Sequence, residues 1–120
     1  SSWEILPGER GKSWTVQKTF TAMDDQGKKK TVKEGFKHDR YTFAPDLPDV
    51  KPSIVHDNCY IDQKWDDGSD MMRLEADHFF RYLMKKSSDQ KTRENAERYY
   101  RGVRIGGWPT WYLRKWGVIS

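Results

Sequence analysis

The hydrophobic pattern changes period about halfway along the chain. Residues 14–22, WTVQKTFTA, put Trp14, Val16, Phe20 and Ala22 on one side with Lys18 between them. That is mostly period-two alternation with β-branched residues, which predicts a strand. Asp24-Asp25-Gln26-Gly27 reads as a turn, and Lys29–Phe36 as the returning strand, with Thr31 and Val32 its best strand formers. Residues 1–13, with Pro7, Gly8 and Gly11, read as an irregular lead-in. Residues 37–50, with Pro45 and Pro48, and Pro52 just beyond, predict an ordered loop with a short strand at Tyr41–Phe43.

Helical spacing follows. Ser53 is the expected N-cap of a helix through His56 to about Asp62. After a turn at Asp66–Ser69, Ser69 or Asp70 would cap a second helix to about Lys86, whose buried face is Met72, Ala76, Phe79, Phe80 and Leu83. Ser87-Ser88-Asp89 breaks and recaps. A third helix over 90–103 buries Ala96, Tyr99, Tyr100 and Val103, and Gly106-Gly107 stops it. Trp108-Pro109-Thr110-Trp111 opens a short final helix carrying Tyr112 and Trp116. The expected class is α+β: a small N-terminal hairpin, then a body of three to four helices. With 120 residues, one domain over 1–120 is expected: lead-in 1–13, hairpin region 14–43, helical body 53–116.

Composition sharpens this picture. Aromatics make up 14% of the chain, with six Trp, which requires a core or an interface to cover them even though 33% of residues are charged. Charge is uneven. Residues 1–77 hold 12 Lys/Arg against 15 Asp/Glu, a net of −3, whereas residues 78–120 hold 10 against 3, a net of +7. The basic half favours an anionic partner: a lipid headgroup layer, a nucleic acid or an acidic protein. Equally, it reads as a solvated helix face. The single cysteine, Cys59, excludes an intramolecular disulfide and reads as a small buried thiol. No run approaches a membrane span, and the first residues do not resemble a signal peptide, so a protein made in a reducing cytoplasm is expected.

Candidate chemistry lies on the first two helices. His56 and Tyr60 fall at i and i+4 and share a face, while Asp57 projects about 100° away. Asp77 is mid-helix among Ala76, Phe79 and Phe80, where a buried carboxylate needs a partner. If the helices pack antiparallel, His56 can be that partner. An imidazole held by a carboxylate at one nitrogen offers the other as a general base. Asp57 could hold a hard cation such as calcium. Asp39 could join it, or simply make an Asx turn after the hairpin. His38 and His78 read as surface or satisfied histidines. Trp108, Trp111, Tyr112 and Trp116 either seal one end of the core or, with Arg104, Arg114 and Lys115, form a membrane or partner-binding face.

Two resemblances bear on these residues. Val55–Tyr60, VHDNCY, followed by Glu75-Ala76-Asp77, resembles the active-site helices of the phospholipase A-two superfamily, with its His-Asp-x-Cys-Tyr motif and, in short parvovirus-type members, a later Ala-Asp pair. That resemblance implies His56 as the base that activates water, Asp57 as the calcium carboxylate, Asp77 orienting His56, and Tyr60 bonded into the same network. The preceding loop, Ala44–Val50, lacks the glycines usual in the calcium loop of that superfamily.

The chain also resembles domain-of-unknown-function family 1353, associated with phages and prophages. The matching stretches are Gly35–Asp39 with Thr42, His56-Asp57 with Tyr60, Ala76-Asp77, and Tyr100–Trp108, in order over roughly residues 30–116. The resemblances imply a phage-encoded, phospholipase A-two-like hydrolase acting at a lipid surface. The alternative is a non-enzymatic virion component of tail, baseplate or capsid, in which the His/Asp network is structural and the partners are phage structural proteins. Nucleic-acid binding by the basic helix around Arg93–Arg104 ranks third, because no recognised nucleic-acid motif accompanies it.

Overall fold

The period-two stretch over 14–22 does not form one strand. In the computed structural model, which describes residues 5–7, 13–39 and 48–117, it bends at Lys18 and contributes to two sheets. Strand β2 (Ser13–Val16) pairs antiparallel with β1 (Ile5–Pro7) on one side and β5 (Lys37–Asp39) on the other. Strand β3 (Phe20–Met23) pairs antiparallel with β4 (Lys29–Val32) as the expected hairpin, Phe20 opposite Val32. Alternation reports a half-buried extended chain but not which strand it pairs with, so the split was invisible. Ile5–Pro7, expected to be irregular, forms an edge strand, where proline is tolerated. The Asp24 carboxylate accepts from the Gln26 and Lys28 amides and closes the hairpin turn, and Gly27 takes the positive φ of 85° that the turn requires. The expected strand at Tyr41–Phe43 lies outside the described residues.

Among the described residues five helices follow: α1 (Lys51–Asp62), α2 (Arg73–Lys85), α3 (Gln90–Glu94), α4 (Ala96–Gly106) and α5 (Trp108–Lys115). The fold is α+β, a small antiparallel sheet region followed by a helical body. Helix α1 starts two residues before Ser53, with Pro52 in its first turn and Ser53 buried inside it. Helix α2 starts later than Ser69 or Asp70 would place it. The Ser69 hydroxyl is engaged by Asp67, Asp70 pairs with Lys64, and the Glu75 carboxylate instead accepts from the Met72 amide at the helix start. Met72 therefore stands outside the helix and is exposed, not part of its buried face. Residues 90–103, expected as one helix, are interrupted at Asn95, with Asp89 capping the first piece through the Thr92 amide.

Among the described residues the apolar core forms two clusters. The larger joins Val16 and Val32 from the strands to Ile54, Val55, Cys59 and Tyr60 of α1, Ala76 and Phe79 of α2, and Trp111 of α5. The smaller packs Phe80 and Met84 of α2 on Ala96 and Val103 of α4. The hairpin is tied to the helical body by polar contacts. Lys30, itself buried, reaches the Asp62 carboxylate and the Lys64 carbonyl, and Asp66 accepts from Thr31 at 2.8 Å. Among the described residues no helix is long and apolar enough to cross a membrane.

Candidate functional site

The geometry is built around one carboxylate. Asp77 is fully buried, at 0% exposure, in the middle of α2. Desolvating a lone carboxylate is expensive, so the surrounding chain must satisfy both its oxygens. Oδ1 accepts from His56 Nε2 at 2.7 Å and from the Tyr60 hydroxyl at 2.7 Å. Both donors come from one face of α1, the i, i+4 pair that helical spacing aligns. Oδ2 accepts from Arg104 at 2.7 Å and, more weakly, from Arg73 at 3.4 Å.

The arginines reach this carboxylate by different routes. Arg73 lies one turn before Asp77 on α2 and also donates to the carbonyls of Val103 and Arg104 in the last turn of α4, the former also accepting from the Gly107 amide. Arg104 leans in from that same last turn. Asp77 thus joins three helices: α1 through His56 and Tyr60, α2 itself, and α4 through the guanidinium groups.

Aromatic rings enclose the pair. The His56 imidazole packs between Tyr60 and Phe80, with centroids 4.5 Å and 4.6 Å away, and is 3% exposed. Tyr60 meets Trp111 edge-on at 4.9 Å. Burial and the neighbouring Asp77 charge push the Tyr60 hydroxyl well above its ordinary pKa, so it donates throughout the neutral range. Cys59, one residue away, is wholly buried; desolvation pushes its thiol up and keeps it an unreactive neutral group.

Gly107 completes the enclosure. A Cβ at this position would stand 2.5 Å from the Tyr60 hydroxyl and 2.7 Å from the Val103 carbonyl. Only hydrogen fits where the α4–α5 junction rides over Tyr60. The Gly-Gly pair reads from sequence as a helix stop, and its second member is in addition a packing requirement of the site.

His56, Tyr60 and Asp77 are therefore brought together as their spacing implied. Asp57 is half-buried beside His56. Asp39 lies in β5, opposite Ser13, and its side chain is outside the described residues. Among the described residues no group of three His, Cys, Asp or Glu side chains gathers to hold a metal.

The expected membrane or partner face divides. Trp111 is buried in the core against Tyr60, and Arg104 turns inward to Asp77, because a buried carboxylate outcompetes solvent for a guanidinium within reach. Trp108, Trp116 and Lys115 are exposed, and Arg114 is half-buried. Arg73 and Gly107 were missed as site residues. Arg73 carries a legible signal, since Arg and Asp at i, i+4 on one helix are natural partners.

No protein family model matches this chain, and neither a curated protein nor a solved structure matches it.

Proposed function

We propose that this chain is a phage-encoded, phospholipase A-two-like ester hydrolase with His56 as its general base. The observation that carries this reading is the shared Asp77 oxygen, which takes His56 Nε2 and the Tyr60 hydroxyl at 2.7 Å each. It is the relation that the His-Asp-x-Cys-Tyr and Ala-Asp stretches imply.

Asp77, as an acceptor, suits the tautomer with the proton on Nε2, and the hydrolytic reading takes Nδ1 as the base. In the hydrolytic step Nδ1 takes a proton from water, and the oxygen attacks the ester carbonyl. The resulting imidazolium is stabilised by Asp77 and returns its proton to the leaving alkoxide. Tyr60 and the two arginines hold the Asp77 carboxyl in place.

The burial of His56 favours a second reading, a virion component in which the same network is a structural lock. One experiment separates the two. Ester and phospholipid hydrolysis is followed with calcium supplied or chelated, for the wild type, His56→Gln and Asp57→Asn, with thermal melts of each. The hydrolytic reading predicts that His56→Gln loses about a thousandfold in rate while still folding. If the wild type hydrolyses nothing and His56→Gln only lowers the melting temperature, the network is structural. A rate that needs calcium and falls with Asp57→Asn would assign the cation role to Asp57.

A further inference from the structure

Helix α5 has two unlike faces. Its inner face places Trp111 in the core. Its outer face carries Trp108, Tyr112 and Trp116, each four residues from the next and therefore aligned along one side. Trp108 is 57% exposed and Trp116 69% exposed, and the Tyr112 and Trp116 rings lie against each other at 5.8 Å. Ile105, three residues earlier on the last turn of α4, is 76% exposed. Four large apolar groups between residues 105 and 116 are thus exposed to solvent, an arrangement that marks a contact surface.

The charge carried by α4 and α5 is mostly of one sign, and the two acids that share the groove beside Tyr112, Arg114 and Lys115, Asp62 and Asp70, are paired with Lys30 and Lys64. From Ala96 to Gly117 the chain carries Arg98, Arg101, Arg104, Arg114 and Lys115 against a single acid, Glu97. Glu97 is already ion-paired with Arg81 and Lys85, and Arg104 is turned inward to Asp77. Arg98 and Arg101 on α4 and Lys115 on α5 remain exposed, and Arg114 is half-buried. Trp and Tyr, with apolar bodies and polar tips, suit the boundary between headgroups and acyl chains, and surrounding cations suit anionic headgroups.

We propose that the outer face of α5, with Ile105, docks on an anionic lipid surface, Trp108 and Trp116 entering the headgroup boundary. This docking stands apart from the hydrolytic reading, since it uses none of the residues that hold His56. A nucleic acid would call for cations along a backbone track, whereas here the face itself is an apolar stripe.

The test is co-sedimentation of the full chain with vesicles of diether lipids, which contain no ester to hydrolyse. Phosphatidylglycerol and phosphatidylcholine vesicles are compared at low and high salt. Binding to the anionic vesicles is expected to exceed binding to the zwitterionic ones by about tenfold or more and to weaken with salt. Trp108→Ser with Trp116→Ser should lower the anionic partition by about a hundredfold with the thermal melt unchanged. Arg101→Glu with Lys115→Glu should remove the preference for phosphatidylglycerol. Equal binding by the double Trp variant would overturn the proposal, as would no binding to either vesicle. Retention by a single-stranded oligonucleotide without vesicle binding would assign the face to nucleic acid and overturn it equally.

Discussion

Tyr60 donates its hydroxyl proton to Asp77 in a buried setting, and both burial and the adjacent negative charge oppose its ionisation. Its pKa is therefore raised in the folded state above the ordinary value of 10.0. Stability from this bond is complete below that value. It is lost as pH rises above it toward the folded pKa, because the unfolded chain gives up the proton first. Denaturant titrations across the alkaline range should show a stability slope in the wild type that Tyr60→Phe diminishes. An unchanged slope in Tyr60→Phe would mean that the hydroxyl is not held as described.

At the scale of elements, the close approach of the α4–α5 junction to α1 depends on Gly107. Its φ of −85° is available to any residue, so the requirement is space and not backbone conformation. Gly107→Ala should destabilise the protein by about 1–3 kcal/mol, since the Tyr60 hydroxyl and the Val103 carbonyl both obstruct the new methyl group. Combining it with Tyr60→Phe removes one of the two obstructions. The double variant should then be more stable than the sum of the single changes implies, measured as a double-mutant cycle in urea. Strict additivity would show that the Val103 carbonyl alone sets the limit.

For the whole molecule, the Asp77 network sits at the seam between the two apolar clusters, with His56 touching Tyr60 of one and Phe80 of the other. Removing the carboxylate leaves two guanidinium groups facing each other at the α2–α4 contact. Asp77→Ala is expected to cost about 3 kcal/mol or more in urea unfolding. It should also admit protease to residues 96–117 before the rest of the chain, because Arg73 and Arg104 reach α2 and α4 together through this one acid. Global unfolding without early cleavage there would mean that the hydrophobic contacts alone dock α4.

Much of this organisation is present in the linear pattern. The 3.6-residue spacing marks α2, α4 and α5. The Asp24–Gly27 turn defines the hairpin. His56, Tyr60 and a mid-helix Asp77 announce a shared polar site, since helical periodicity puts the first two on one face and burial obliges the third to find donors. Helix starts were misread at Ser53 and Ser69, because a capping residue type signals only local capacity. Pro52 and the Glu75–Met72 bond set the starts instead. Other features are settled only by packing: the division of residues 14–22 between two sheets, the inward turn of Arg104, the burial of Trp111 beside exposed Trp108, and the need for hydrogen alone at Gly107. Each depends on a contact between residues distant in sequence, and local propensity contains no term for that.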